Sequence, residues 1–421
     1  MPGVRAVSLP HPDPLPEGEG AKAPALARRL ARVPVAATVA MTIKARTMRD
    51  AGVQVIALTI GEPDFDSPPH AIEAAHQAAL RGDTKYPPQD GQPALKQAIR
   101  RKFQRDSGLD YALDEITVSN GGKGTIFNAL IATVDEGDEV VIPAPYWGAY
   151  PLMARLVGGE PVIVNCPQNN GFKLRPEDLD AAITPRTKWL ILNSPNNPTG
   201  AALSAAELAA LGEVMLRHPH VWIMSDDMYE HLLFDGARAI LAAVEPRLRN
   251  RVLTVGGVSK TYAMTGWRIG FAAGPRALVR AMVNMQGQVA AGVSTIGQAA
   301  AAAALDGPQD AVPGMAAAYR RRRDLVVDAL NTAPGMLCHR PEGAFYVYPS
   351  VAGCLGKTTP GGKHLHTDED FALALLEERH VALVHGAAFG MSPHVRISYA
   401  TDDASLAEAC RRIVAFCADL R

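Results

Sequence analysis

Residues Gly257 to Gly270 read GVSKTYAMTGWRIG. One amine, Lys260, and one guanidinium, Arg268, lie eight residues apart among small and aromatic residues. A solvated face would carry more charge and fewer glycines, and a plain core would carry neither cation. The apolar run RVLTVG (Arg251 to Gly256) precedes the lysine, so Lys260 falls just past the C-terminal end of a strand. Open α/β sheets bind their ligands at those ends.

Six similar runs surround this one. They are ITVS (116–119), EVVIP (139–143), PVIVN (161–165), KWLILN (188–193), VWIMS (221–225) and IGFAAG (269–274). Each is apolar almost throughout, as strands buried on both faces should be. Helix-like stretches such as Ser204 to Arg217 separate several of them. The alternation predicts an α/β fold with a largely parallel sheet. Ser67-Pro68 reads as a capping hydroxyl followed by a proline at the first helical position of a helix that Gly82 ends. After about residue 306 the texture changes. A long helix containing YRRRRDLVVDAL, the segment GAFYVYP, a Gly/Lys/Thr-rich loop, a helix, the strand HVRISY and a last helix suggest a smaller α+β domain.

The chain has 421 residues, of which 48% are hydrophobic and 20% charged, an ordinary globular balance. A formal net charge of −1 offers no global positive field for nucleic acid or an acidic membrane. No apolar run reaches the roughly 18 residues of a membrane span. Five scattered cysteines without a CxxC pair read as reduced thiols of a cytoplasmic protein. His364 and His366 lie in a polar loop without metal-ligand spacing. Residues 1–25, rich in Pro, Gly and charge, read as a disordered extension without a signal-peptide core.

Two further strand ends carry chemistry. NSPNNPTG (193–200) follows one strand, although Asn, Pro and Gly also suit an ordinary turn. Asp226 follows another, with Tyr229 three residues on. An amide, a carboxylate and an amine at three neighbouring strand ends, with an arginine suited to phosphate, fit pyridoxal phosphate. The lysine can form a Schiff base with the aldehyde, and the carboxylate can keep the pyridine nitrogen protonated.

From about Val33 to the C-terminus the chain resembles the class I/II pyridoxal-phosphate aminotransferases of fold type I. SKTYAMTGWRIG resembles their cofactor-lysine signature and NNPTG their cofactor-ring loop. GEPDF (61–65), KYP (85–87), PYW (145–147) and RISYA (396–400) match in order. The resemblance implies a large domain over residues 67–305 with a mostly parallel seven-stranded sheet. It also implies a small domain over 306–421, with residues 26–66 packing against that domain.

The resemblance also implies roles. Lys260 would hold the cofactor aldehyde and then move the substrate proton, next to Ser259. Asp226 would pair with the pyridine nitrogen, while Tyr229 and Asn197 would bond the ring oxygen. Trp147 would stack on the ring. Arg268 would grip the phosphate with the amides of Gly121, Gly122 and Lys123 at a helix start. Tyr86 would reach the phosphate of a partner subunit's cofactor, which implies a homodimer with shared sites. Arg396 and the backbone of Gly61 would receive the substrate α-carboxylate. Thr38 and Lys123 resemble the distal-carboxylate readers of bacterial aspartate aminotransferases, some of which also transaminate prephenate.

Two departures stand out. Gly257 occupies a position where many relatives have a phosphate-binding serine, and QGQVAAGVSTIGQ (286–298) is apolar where many are Ser/Thr-rich. The expected reaction is transfer of an amino group from L-aspartate or a similar amino acid to 2-oxoglutarate by a ping-pong mechanism. Aromatic, prephenate or kynurenine transamination, or C–S β-elimination, remain as alternatives.

Overall fold

The computed structural model describes residues 26–33 and 36–421. The expected disorder of residues 1–25 lies outside the described residues.

The seven apolar runs form one sheet: β1 (Ile116–Asn120), β2 (Glu139–Ala144), β3 (Glu160–Asn165), β4 (Thr187–Asn193), β5 (Trp222–Asp226), β6 (Val252–Gly257) and β7 (Ile269–Ala273). Their spatial order is β1-β7-β6-β5-β4-β2-β3. Every neighbouring pair is parallel except those made by β7, which runs antiparallel to both β1 and β6. Alternate residues serve opposite faces, as the strand period requires. Val141, Leu190, Leu192 and Ile223 join a core with the helices Pro69–Leu80, Pro93–Ser107, Ala205–Arg217 and Thr295–Asp306. Val140, Ile142, Trp189, Ile191 and Met224 join another with Gly121–Ile131, Ala149–Leu156 and Arg276–Val289. Helices on both faces leave no polar side for the inner strands, hence their continuous apolar text. The edge strand β3, with a neighbour on one side only, departs from that expectation, being only partly buried with Ile163 37% exposed.

A separate core gathers the helices Ala311–Leu330, Asp368–Arg379 and Asp403–Ala418 around a short three-stranded sheet. Met41 and Ala45 of the N-terminal helix Ala37–Asp50 belong to it, and Ile56 pairs in parallel with Val381. The N-terminal segment is thus joined to the end of the chain. All five cysteines are buried and free. Among the described residues no helix is long and apolar enough to cross a membrane.

One local expectation is corrected. The helix Pro69–Leu80 has Pro68, not Ser67, at its N-cap position and no side-chain cap. The Ser67 hydroxyl instead donates to the Ala263 carbonyl (3.1 Å) and accepts the Trp267 indole N–H (2.9 Å). A tertiary partner has taken the hydroxyl that the local pattern assigned to the helix. It ties the helix entry to the Lys260–Arg268 loop.

The antiparallel β7 passes flush against the start of the helix Gly121–Ile131. A Cβ on Gly270 would lie 2.4 Å from both the Gly121 carbonyl carbon and the Gly122 nitrogen. Backbone atoms cannot rotate away, so Gly270→Ala is expected to cost about 1–3 kcal/mol through overpacking. A fall in the midpoint of urea unfolding checks this, and an unchanged midpoint would show that the two backbones can part.

Candidate active site

A cavity of about 450 Å³ opens over the C-terminal ends of the central strands, within the usual range for small-molecule sites. Lys260, Asp226, Tyr229, Asn197 and Ser259 line it from the strand ends. Thr38 and Gly61 enter from the N-terminal segment, Gly122, Lys123 and Trp147 from the sheet's other helix starts, and Arg268 and Arg396 also line it, as do Tyr150, Asn193 and Tyr346. Gly121 sits directly behind, at the N-terminus of the helix Gly121–Ile131. Tyr86 does not line the cavity and is 96% exposed. Residues 289–293 also stay outside that lining.

Asp226 ends β5 with its carboxylate buried. Its Oδ2 accepts the Tyr150 hydroxyl at 2.5 Å, and its Oδ1 accepts the Met228 amide at 3.3 Å. Burial pushes its pKa up to about 6, against the pull of those two donors. Asn193 locks the neighbouring strand end. Its Nδ2 donates to the Asp226 carbonyl (2.9 Å) and its Oδ1 accepts the Asn197 amide (2.8 Å).

Lys260 donates to the Gly61 carbonyl at 2.6 Å. Burial lowers its pKa to about 8; Glu62 opposes the shift, while Arg268 and Arg396 add to it. Gly61 is needed for this approach, because a Cβ there would meet the Tyr346 hydroxyl at 1.9 Å.

Arg396 is the most constrained cation. It lies between Val395 and Ile397, which face the C-terminal core, and is itself only 3% exposed. Its Nη2 donates to the Thr59 carbonyl (2.5 Å) and its Nη1 to Asn197 Oδ1 (3.0 Å). The rings of Tyr346 and Phe389 flank it, each 4.8 Å away. Its Nε is buried without a partner, and among the described residues no carboxylate pairs with it. Burial lowers its pKa for the same reason. A desolvated guanidinium on a cavity wall with no carboxylate partner suits an anion.

A second cationic region surrounds the helix start. A Cβ on Gly121 would strike Arg268 Nη2 at 2.2 Å, and one on Gly122 would strike the Met228 methyl at 2.5 Å. Only glycine leaves this cradle open, and helix-start amides with a guanidinium suit a phosphate. Met228 also occupies space beside Gly257, where a Cβ would lie 3.2 Å from its methyl. Lys123 stands over the Trp147 ring at 5.2 Å, and withdrawal from water and then Arg268 lower its pKa. The donor set therefore fits pyridoxal phosphate: an acid for a ring nitrogen, an amine for an aldehyde and a cationic, amide-lined cradle for a phosphate.

Sequence reasoning missed Tyr150, Tyr346 and Asn193. Tyr150 sits three residues after Trp147, a helical spacing that brings their rings edge to face at 5.3 Å. Tyr346 bonds the Tyr229 hydroxyl at 2.9 Å across 117 residues, which no local pattern signals.

A family model described as aminotransferase class I and II matches residues 53–413. The aspartate/prephenate aminotransferase of Cereibacter sphaeroides is 57% identical over 94% of this chain and 99% of its own. The crystal structure of the Rhizobium meliloti aspartate aminotransferase superposes with a TM-score of 0.93 at 53% identity, over 95% of this chain and all of that one. The aspartate aminotransferase from Thermus thermophilus with maleate gives 0.88 at 41% identity, over 94% of this chain and 100% of that one.

A neutral amine is the nucleophile, so the lowered pKa of Lys260 has a direct readout. In the cofactor-free protein, amine-directed labelling of Lys260 is expected to rise with a midpoint near pH 8, below the ordinary lysine value of 10.5. Mass spectrometry of labelled peptides against pH measures it. A midpoint at the ordinary value would mean that the amine is hydrated.

Proposed function

The chain belongs to the class I and II aminotransferases, and on that premise we propose that it transfers the amino group of L-aspartate to 2-oxoglutarate, in two half-reactions at one site. The observation that carries this is one cavity lined by four cations, Lys123, Lys260, Arg268 and Arg396, none with an ion-pair partner among the described residues; with Lys260 and Arg268 given to the cofactor, Arg396 and Lys123 are left for substrate carboxylates. Aspartate and 2-oxoglutarate each carry two carboxylates, and each needs two such readers. Prephenate also has two carboxylates, and the name of the Cereibacter relative keeps it as a second acceptor. The maleate of the Thermus structure is likewise a dicarboxylate.

Pyridoxal 5'-phosphate, when bound, supplies an aldehyde that joins amines and a ring that accepts the electrons released as Cα–H breaks. Asp226 holds the proton on the ring nitrogen. Tyr229 and the Asn197 amide, whose Oδ1 is already committed to Arg396, donate to the ring oxygen. Trp147 covers the ring face, and Arg268 with the amides of Gly121 and Gly122 holds the phosphate. Arg396, on the cavity wall and without a carboxylate partner among the described residues, grips the substrate α-carboxylate. Lys123, with Thr38, reads the distal carboxylate. Lys260 takes the proton from Cα, and a pKa near 8 leaves part of its amine neutral for that work. Movement of the C-terminal core, which carries Arg396, toward the strand ends, with residues 67–305 and 306–421 as the two domains, would exclude water.

The fully exposed Tyr86 supports a homodimer in which it reaches the partner subunit's phosphate. The 286–298 stretch, outside its own cavity, belongs to the same interface in this reading. A cytoplasmic location fits the buried free thiols.

The test is to add L-aspartate alone to the cofactor-loaded protein. One equivalent of oxaloacetate per site is expected, then glutamate once 2-oxoglutarate is supplied. No oxaloacetate, with turnover of an aromatic amino acid or pyruvate release from cystathionine, would replace aspartate as the substrate. Lys260→Ala is expected to lower turnover by at least about 10²–10⁴-fold with an unchanged melting temperature. Retained turnover would remove Lys260 from the proton transfer. Lys123→Gln is expected to raise KM for aspartate and 2-oxoglutarate roughly tenfold or more, the scale of a charged hydrogen bond, while KM for phenylalanine stays put. An equal rise for all three would make Lys123 a general support rather than a carboxylate reader.

A further inference from the structure

We propose that Tyr150 is a positioning residue that keeps Asp226 a carboxylate, so that the shared proton stays on the cofactor's ring nitrogen. This rests on the aminotransferase reading above. The hydroxyl of Tyr150 is buried, lies 2.5 Å from Asp226 Oδ2, and has no other acceptor among the described residues. The other carboxylate oxygen receives only the longer Met228 amide contact, at 3.3 Å. Among the described residues Asp226 has no cationic side chain beside it, so these two donors are what stabilise its charge in a buried setting.

The chemistry is a competition for one proton. A buried carboxylate beside a pyridine can either accept the ring N–H or take the proton itself. A donor on the carboxylate favours the charged form and so lowers its hold on the proton. Burial alone drives Asp226 upward, and the Tyr150 hydrogen bond is the larger of the two opposing contacts. Without that bond the proton moves toward Asp226, and the ring becomes a weaker electron acceptor.

The placement of Tyr150 is also specific. It lies in the first turn of the helix Ala149–Leu156, three residues past Trp147, and its ring meets the Trp147 ring at 89°. Tyr150 therefore contacts both the residue that would cover the ring face and the residue that would hold its nitrogen. Its backbone amide bonds the Trp147 carbonyl at 2.9 Å, which fixes that spacing.

The experiment uses the full-length protein loaded with pyridoxal 5'-phosphate labelled with ¹⁵N in the ring. In the wild type the ring-nitrogen NMR signal is expected at the protonated position. In Tyr150→Phe it is expected to move toward the unprotonated position, with cofactor dissociation raised roughly tenfold, the scale of a lost charged hydrogen bond. In an Asp226→Ala background the same Tyr150→Phe change should leave cofactor dissociation unaltered, because the two residues act through one contact. A structural role alone would move the melting temperature of the cofactor-free protein and not the nitrogen signal. An unmoved signal in Tyr150→Phe, or equal losses in both backgrounds, overturns the proposal. Should Tyr150→Phe not fold, para-aminophenylalanine at position 150 keeps the shape and donates more weakly. A smaller shift in the same direction is expected, and no shift overturns the proposal. A wild type that binds no cofactor would instead overturn the aminotransferase reading on which this one stands.

Discussion

Asp226 and Arg396 are buried charges without an oppositely charged side chain among the described residues, and the rest of the site is arranged around that fact. An uncompensated buried charge costs several kcal/mol. The protein offsets part of the cost with neutral dipoles. Tyr150 and the Met228 amide serve Asp226. The Thr59 carbonyl, Asn197 Oδ1 and two aromatic faces serve Arg396. None of these neutralises its partner. A cationic ring nitrogen and an anionic carboxylate would do so, and the cavity thus stores a preference for a ligand that carries both. Lys260 stands between the two demands as an amine only partly held in its charged form.

The fold makes such an arrangement affordable in structural terms because the strands beneath it are rigid. β4, β5 and β6 are buried on both faces and end side by side, so their terminal side chains cannot drift. Asn193 bridges two of those ends through hydrogen bonds to the Asp226 carbonyl and the Asn197 amide. The glycines act at close backbone approaches. Gly270 lets β7 touch the helix that begins at Gly121, while Gly61 lets the N-terminal segment reach Tyr346 and Lys260. The N-terminal segment is fixed in turn by its packing against the C-terminal core.

Much of this was legible in the text of the chain. A strand buried on both faces has to be apolar throughout, so the inner runs stood out, and the edge strand β3 shared the pattern although it is only partly buried. Residues at the ends of those runs, Asn197, Asp226 and Lys260, were visible because polar groups there break an apolar pattern. Gly121 and Gly122 were visible as a glycine pair opening a helix. Ser67 misled, because a hydroxyl before proline is a good cap locally and gave no sign that Trp267 would claim it. Tyr150 and Tyr346 were passed over for a related reason. A tyrosine in an apolar stretch reads as core, and only the position of its hydroxyl reveals another role.

The order of strands and helices and the chemical types at the strand ends were set by short-range pattern, which the sequence carries in full. Which groups meet was decided by tertiary packing. The Tyr150–Asp226 contact spans 76 residues, Lys260–Gly61 spans 199 and Arg396–Thr59 spans 337. Hydrogen bonds act over about 3 Å, and nothing in a residue's neighbours along the chain encodes which distant donor will arrive at that distance. The lowered pKa of Lys260 and the raised pKa of Asp226 follow from burial, and burial exists only once the distant segments have closed over them.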